Sequence, residues 1–442
     1  MKFIAFTGIL LIAAGGAFAQ NQAGSQTLNI GQAVQMGVAN SKQLKLDTLK
    51  LAQVEAKQAQ VSDAALPNVS LNAGYSRLSP IDPVTFQFPG SPEPVTLFPV
   101  ILNNYTTRAS VSEGIFTGWR LKYTEESYGF INKAAQLDVT KDEQEVRLNI
   151  MSAYISYVKL TLSQHIVEEN LKTAQQRVDE VTSMKERGLA TDNDVLKAQL
   201  YQSNLELSKS DVDNSIAVAQ FNLCILLGLP EGTTINADTT GLFAAVNLLP
   251  ETQYEQDAVT NRSELKSAGY RVQSSQSNVK LAQASYYPTV GVGADYYFAR
   301  PNQRIIPYVD EFRATWDVGV NVSWNISSLY TGKHNVQEAQ VQLMQTQVQS
   351  DMLTDNIKME VFQNYMACQG AITKMSMLQL AVTQAEENYR QTKARYDQQL
   401  SLMSEVLDAD AALLQARINL VLQQADVQLS YDKLLKSTGT LK

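Results

Sequence analysis

A chain of 442 residues with 44% apolar and 18% charged side chains has enough apolar surface to bury a core, which excludes disorder. A formal net charge of −8, from 36 Lys and Arg against 44 Asp and Glu, argues against a nucleic-acid partner. Two cysteines in so long a chain exclude a fold that depends on disulfides.

Taken in order, the chain opens with Met1, Lys2 and an apolar run from Phe3 to Phe18, ending Ala17-Phe18-Ala19 before Gln20. That pattern predicts a secretory signal over residues 1–19 and an exported protein. Glutamine rather than cysteine follows the cut, so no lipid anchor is expected there. Beyond the signal no run of 18 apolar residues occurs, so a membrane crossing would have to be made by strands. Residues 28–64 carry apolar side chains at three- and four-residue spacing and predict a helix that Pro67 ends. Val69, Leu71, Ala73 and Tyr75 then alternate with small polar residues, as in a strand with one apolar face. Residues 78–104 hold six of the twelve prolines and predict a long exposed loop. A second alternating strand covers 105–116, with Tyr105, Thr107, Ala109, Val111 and Ile115 on one face. Residues 118–190 predict an unbroken helix of roughly 70 residues, about 100 Å at 1.5 Å per residue. Gly188 supplies its end, Thr191 or Asp192 caps a further helix to Leu227, and Gly228-Leu229-Pro230 stops that one.

After Pro250 the order restarts. Asn40-Ser41-Lys42-Gln43-Leu44-Lys45 falls on Asn261-Arg262-Ser263-Glu264-Leu265-Lys266, and Pro67 falls on Pro288. Strands are predicted at 290–298 and 314–326, joined by a loop over 300–312, and a second long helix over 332–401. The motif Val146-Arg147-Leu148-x-Ile150-x-x-x-Tyr154 falls on Ile357-Lys358-Met359-x-Val361-x-x-x-Tyr365. The chain therefore reads as a tandem duplication of helix, strand, strand, long helix, helix: residues 20–230, a linker at 231–250, and residues 251–442. The two shorter helices of each half sum to about the length of the long one, so stacked end to end they match it in height.

The fold class expected is mainly α with transmembrane β. The strands have bilayer-crossing length, and their apolar faces carry Tyr75, Tyr105, Phe298, Trp316 and Trp324 near the ends, as an aromatic girdle would. A soluble β-sandwich with one wet side is the other reading of such strands. Four strands alone leave open edges that lipid does not tolerate, so several copies would have to share one barrel.

These features resemble the TolC-type outer-membrane efflux proteins. The resemblance covers essentially the whole mature chain. It rests on the duplicated order, on Pro67 and Pro288 opening strands, and on Gly118 and Gly332 opening the long helices. It rests most on the two hairpin turns, Arg187-Gly188-Leu189-Ala190-Thr191-x-x-Asp194-Val195-Leu196 and Tyr396-x-x-x-Leu400-x-x-x-x-Glu405-Val406-Leu407-Asp408. It implies a homotrimer with a shared twelve-stranded barrel in the outer membrane of a Gram-negative bacterium and an α-helical tunnel in the periplasm. It also implies a periplasmic adaptor and an inner-membrane pump as partners, and an equatorial position for 231–250.

The residues themselves show no catalytic pattern. His165 and His334 stand far apart, and no phosphate loop or dinucleotide fingerprint appears, so neither enzyme nor cofactor nor metal is expected. Glu168-Glu169 and Glu386-Glu387 read as solvated helix faces, and Cys224 and Cys368 as buried inert thiols. Glu405 and Asp408 lie three apart at a helix start and project from one face. They read either as surface N-terminal acids or, in a trimer, as a ring of six carboxylates at a pore constriction. By the resemblance, Tyr396 and Asp194 match partners that hold the closed mouth, while Ser401 stands where some members carry arginine. Gly188, Leu189, Leu400 and Ser401 match the adaptor groove, although Gln399-Leu400-Ser401 replaces the family's glycine in the second copy. A periplasmic adaptor or scaffold built on helical hairpins, without a channel, is the alternative function.

Overall fold

The computed structural model describes residues 25–96 and 100–441; the expected signal over 1–19 lies outside the described residues. The first half runs β1 (Ser25–Leu28), α1 (Ile30–Asn40), α2 (Lys42–Asp63), β2 (Asn68–Arg77), the two-residue strands β3 (Thr85–Phe86) and β4 (Val95–Thr96), β5 (Asn103–Phe116), α3 (Arg120–Glu186) and α4 (Asp192–Leu227). The linker contributes β6 (Thr234–Ala237). The second half runs α5 (Glu251–Asn261), α6 (Ser263–Gln283), a 3₁₀ turn (Ala284–Tyr286), β7 (Thr289–Arg300), β8 (Arg313–Ser323), the single turn α7 (Ser328–Thr331), α8 (Lys333–Asp397) and α9 (Met403–Ser437). The long helices span 67 and 65 residues. No helix among the described residues is long and apolar enough to cross a membrane.

One expected helix is two. The run predicted over 28–64 breaks at Ser41 (φ −64°, ψ 116°), and the second copy breaks at the equivalent Arg262 (φ −57°, ψ 120°). Distant partners hold both breaks. The Asn40 amide donates to Leu227 O at 2.8 Å, and the buried Arg262 guanidinium donates to Glu264, Glu360 and Ser437 O. An uninterrupted helix would carry these side chains away from those acceptors.

The chain forms two compact units, and both halves of the duplication contribute to each. The first comprises the residues up to Lys42, Glu145–Leu248 and Asn364–Leu434. Its core joins Ala33 and Val34 of α1, Ile150, Tyr154, Ile155 and Val158 of α3, and Leu223 and Leu227 of α4. β1 pairs in parallel with β6, so the linker contributes a strand. Two tyrosines one turn apart on α3 clamp that pair. Tyr154 shares its one proton between Leu28 O (2.7 Å) and Asp238 O (2.9 Å), and Tyr157 donates to Ile235 O (2.5 Å). Burial pushes the Tyr154 phenol up to about 12, so it stays a donor.

The second unit comprises Gln43–Gln144, Leu249–Gln363 and Leu435–Lys442. α6 buries serines rather than large apolar residues: Ser267 donates to Asp138 (2.7 Å), and the Ser274 and Ser127 hydroxyls lie 2.8 Å apart. The four long strands form one antiparallel sheet in the order β2-β5-β7-β8. Its edge strands, β2 and β8, have no further partner among the described residues. β7 and β8 run in unbroken register from Thr289↔Ser323 to Ala299↔Arg313. The β5–β7 register shifts between Gly114 and Phe116, so strict alternation fails at Ile115, the extra residue of a bulge. The ladder of β8 ends at Ser323 rather than at Ile326, and the Trp324 indole instead donates to Tyr286 O at 3.1 Å. A Cβ at Gly118 would lie 2.8 Å from Ala284 O, and one at Gly332 would lie 2.8 Å from a Tyr286 ring carbon. The strand-to-helix joints of both copies therefore press on the same 284–287 turn, and only glycine fits.

Candidate functional site

The tips of the two helical hairpins belong to the first unit and share one backbone figure. Gly188 N–H donates to Lys185 O (2.9 Å) and Leu189 N–H to Met184 O (2.8 Å). In the second hairpin Gln399 N–H donates to Tyr396 O and Leu400 N–H to Arg395 O, both at 2.8 Å. These are the paired bonds of a Schellman turn, which place the residue after the helix in the left-handed region. Gly188 sits there at φ 75° and Gln399 at φ 61°. Leu189 and Leu400 project into solvent from the two turns.

The helices that follow start differently. Thr191 caps α4 in a reciprocal box: its hydroxyl accepts from Asp194 N–H, and the Asp194 carboxylate accepts from Thr191 N–H at 3.0 Å and from its hydroxyl at 2.7 Å. The Thr191 hydroxyl and amide hold the Asp194 carboxyl below its ordinary range. In α9 the Leu402 carbonyl accepts from Glu405 and Val406, and the Ser401 hydroxyl donates to the Glu405 carboxylate. Beneath the tips, Val181, Val195, Met403 and Leu407 form a small apolar core with Tyr201 and Tyr396 against it. Seating Met403, Val406 and Leu407 inward turns Glu405 and Asp408 outward, both exposed and three residues apart on one face. Tyr396 and Asp194 come near one another without bonding. The Tyr396 hydroxyl lies 3.7 Å from Met184 Sδ, and burial, then the Asp194 charge, push its phenol up.

One turn deeper lies a polar cluster built from all four hairpin helices. Arg177 of α3 donates to the Tyr389 hydroxyl of α8 at 2.6 Å and lies 5.6 Å from that ring's centre. Its other nitrogen Nη1, the Tyr201 hydroxyl of α4 and Asp410 Oδ2 of α9 are buried, none in good hydrogen-bond geometry, although the Tyr201 hydroxyl lies close enough to Asp410 to favour its charged form. Burial raises the Asp410 carboxyl and the neighbouring Arg177 charge lowers it, burial prevailing. Sequence reasoning passed over this cluster. The signal was present: Asp410 lies four after Val406 and three after Leu407, and Arg177 lies four before Val181, on the stripes both helices bury.

In the second unit the sheet carries the aromatic residues. Tyr75 and Tyr105 face each other across β2 and β5 with ring centres 4.9 Å apart. Phe312 lies 5.7 Å from Tyr105 and stacks on Phe298 at 5.1 Å, a fourth member that the loop expected over 300–312 concealed. Trp316 sits opposite Tyr296. Trp324 follows eight residues later, about 26 Å along an extended chain. Between the two tryptophans Val318, Val320 and Val322 are 64–70% exposed, so nothing among the described residues covers the face.

No curated protein matches the sequence. The fold is similar to the outer membrane protein VceC from the bacterial pathogen Vibrio cholerae, with 17% identity and a TM-score of 0.75 over 93% of this chain and 96% of that one. It is also similar to the Campylobacter jejuni CmeC outer membrane channel (16% identity, TM-score 0.73, 93% and 85% of the two chains). The open state of the Neisseria gonorrhoeae MtrE outer membrane channel is a further match (16% identity, TM-score 0.74, 93% and 89%). The family model described as outer membrane efflux protein matches residues 33–229 and 255–440, one stretch in each half of the duplication. With its paired long helical hairpins and its bare-faced four-stranded sheet, the chain belongs to the outer membrane efflux protein family.

Proposed function

We propose that three copies of this outer-membrane efflux protein close one twelve-stranded barrel and act as a passive exit duct for an inner-membrane pump. The observation that carries this reading is the sheet with two open edges and an uncovered apolar face. Each unpaired backbone group in hydrocarbon costs several kcal/mol, so β8 of one copy pairs with β2 of the next. Two copies would close only eight strands, whose interior side chains fill, whereas twelve leave a wet passage. The polar face then lines the lumen, and the tyrosines, Phe298, Trp316 and Trp324 sit at the two lipid interfaces.

In this arrangement the repeats at 20–230 and 251–442 supply the tunnel wall and the linker at 231–250 its equatorial belt. Glu405 and Asp408 of three copies form a ring of six carboxylates that favours cations and binds polyvalent ones. Tyr396 and Asp194, neighbours but unbonded within one chain, complete the closed mouth through contacts between copies. Gly188, Leu189, Leu400 and Ser401 offer the adaptor its contact surface. The pump and adaptor supply the energy and the opening signal.

Negative-stain microscopy of the mature protein extracted from outer membranes in detergent tests the reading. Threefold tubes with a helical stalk of about 100 Å support it. Monomeric rods enclosing no lumen overturn it and favour the adaptor or scaffold.

A further inference from the structure

We infer that the segment joining β7 to β8 folds inward to form a second constriction at the outer mouth of the barrel. The inference rests on the reading of the sheet's polar face as the lumen. Three bonds pin the segment to β8, and a fourth shapes the segment itself. Asn302 is only 3% exposed, and its amide donates to Arg313 O (3.0 Å) and to the Thr315 hydroxyl (3.2 Å). Its carbonyl oxygen accepts from Arg304 N–H at 3.0 Å, which bends the chain over the sheet. From there the Arg304 guanidinium pairs with Asp317 and lies 3.8 Å from the centre of the Tyr297 ring.

The charges explain why the segment stays. Asp295 and Asp317 are directly opposite across β7 and β8, an arrangement that repels unless each has its own cation. β5 supplies the first: Arg108 donates to both Asp295 oxygens at 2.9 and 2.8 Å. The second, Arg304, comes only from the inward-folded segment. Tyr297 lies between the two guanidinium groups, with Arg108 5.1 Å from its centre. Among the described residues, the strands thus present a carboxylate that the segment's own arginine pairs.

The dimensions turn this into a constriction. Twelve strands about 4.8 Å apart and tilted about 40° give a backbone diameter of roughly 24 Å. A layer packed on a sheet face occupies up to about 10 Å, so three such layers around a wall of about 12 Å radius nearly fill the mouth. Two arginines and two aspartates from each copy balance, so this mouth selects by size, whereas the carboxylate ring at the hairpin tips selects by charge.

The test places a thiol behind the constriction. Gly319 is opposite Gly293, two pairs further from the mouth than Asp317 and on the same face, and a Cβ there meets nothing within 4 Å. Cys224 and Cys368 are buried and give no background. Gly319→Cys is labelled from outside intact cells with N-ethylmaleimide and with a polyethylene-glycol maleimide too bulky for a narrow pore. Ser79→Cys, on the exposed loop after β2, serves as the freely reached control, and unheated gels report trimer assembly. The expected result is that N-ethylmaleimide labels Gly319→Cys while the bulky reagent is slowed by roughly tenfold or more, and that Asn302→Ala with Arg304→Ala removes the difference. If the double variant fails to assemble, Arg304→Gln alone is used and is expected to narrow the difference. Equal labelling by the bulky reagent with the segment intact overturns the constriction but leaves the duct standing. So does size selection that the variants leave unchanged. No labelling of Gly319→Cys by either reagent, with Ser79→Cys labelled, overturns the lumen placement and the duct with it.

Discussion

Gln399 occupies in the second hairpin the left-handed position that Gly188 occupies in the first, with the same two backbone bonds closing each turn. A side chain in that region costs roughly 1 kcal/mol against glycine, which glycine's greater freedom in the unfolded chain partly offsets. Gln399→Gly is therefore expected to stabilise the fold by about 0.5–1 kcal/mol, and Gly188→Gln to destabilise it by a similar amount. Denaturation midpoints of the two variants, followed by helical circular dichroism, check both signs.

The outward pair at the start of α9 is proposed to line the pore. Glu405→Ala with Asp408→Ala is expected to abolish block by trivalent cations in planar bilayers, raising the blocking concentration by roughly tenfold or more. Asp410, two residues on but buried, supplies the control: Asp410→Asn leaves the block intact. Unchanged block in the double variant would remove Glu405 and Asp408 from the pore.

Asp432 makes stability depend on pH. Burial pushes its carboxyl up to about 6, with Oδ2 unpartnered and Oδ1 accepting from Gln428 at 2.9 Å. Between its ordinary value and 6 the folded chain holds a proton that the unfolded chain has lost, so this group's contribution falls as pH rises through that window. Asp432→Asn is expected to be more stable than the parent by up to about 3 kcal/mol above pH 6 and unchanged below about pH 4. Melting temperatures from pH 4 to 8 read the difference, which should flatten in the variant.

The two faces of β8 should respond oppositely to charge. Val320 lies on the bare apolar face and Asn321 on the polar one. Val320→Arg is expected to cost about 2–4 kcal/mol in the membrane and deplete the trimer band on unheated gels. Asn321→Arg should assemble normally. Equal tolerance at both positions would mean that neither face meets lipid.

Much of this was legible from periodicity. Strict alternation disclosed the strands, and the recurrence of Pro67 at Pro288 and of the Tyr154 motif at Tyr365 disclosed the duplication. What escaped depends on distant partners. Nothing local at Ser41 or Arg262 breaks a helix; the breaks are set by Leu227 O and by Glu360 and Ser437 O. α6 hides its buried face because that face is serine, and apolar periodicity does not register a serine stripe. Asn302 looks like any polar loop residue until its three bonds are seen. At the tips, the first turn was read from Gly188 and its cap and the second from its resemblance, whereas Arg177 and Asp410 were not read, since one charge on an apolar stripe barely shifts its average.

The tyrosine-clamped strand pair also sets an order of events during export. The Asn236 amide bonds the Ser25 hydroxyl across 211 residues, so β1 finds its partner only after the whole first repeat and the start of the linker have followed it. Closing a loop of that length costs on the order of 5 kcal/mol, which a four-residue pair alone barely offsets. Tyr154 and Tyr157 each add one donated proton, worth about 1 kcal/mol apiece, and their helix must already stand before they can act. β1 is thus expected to settle after the helix that clamps it.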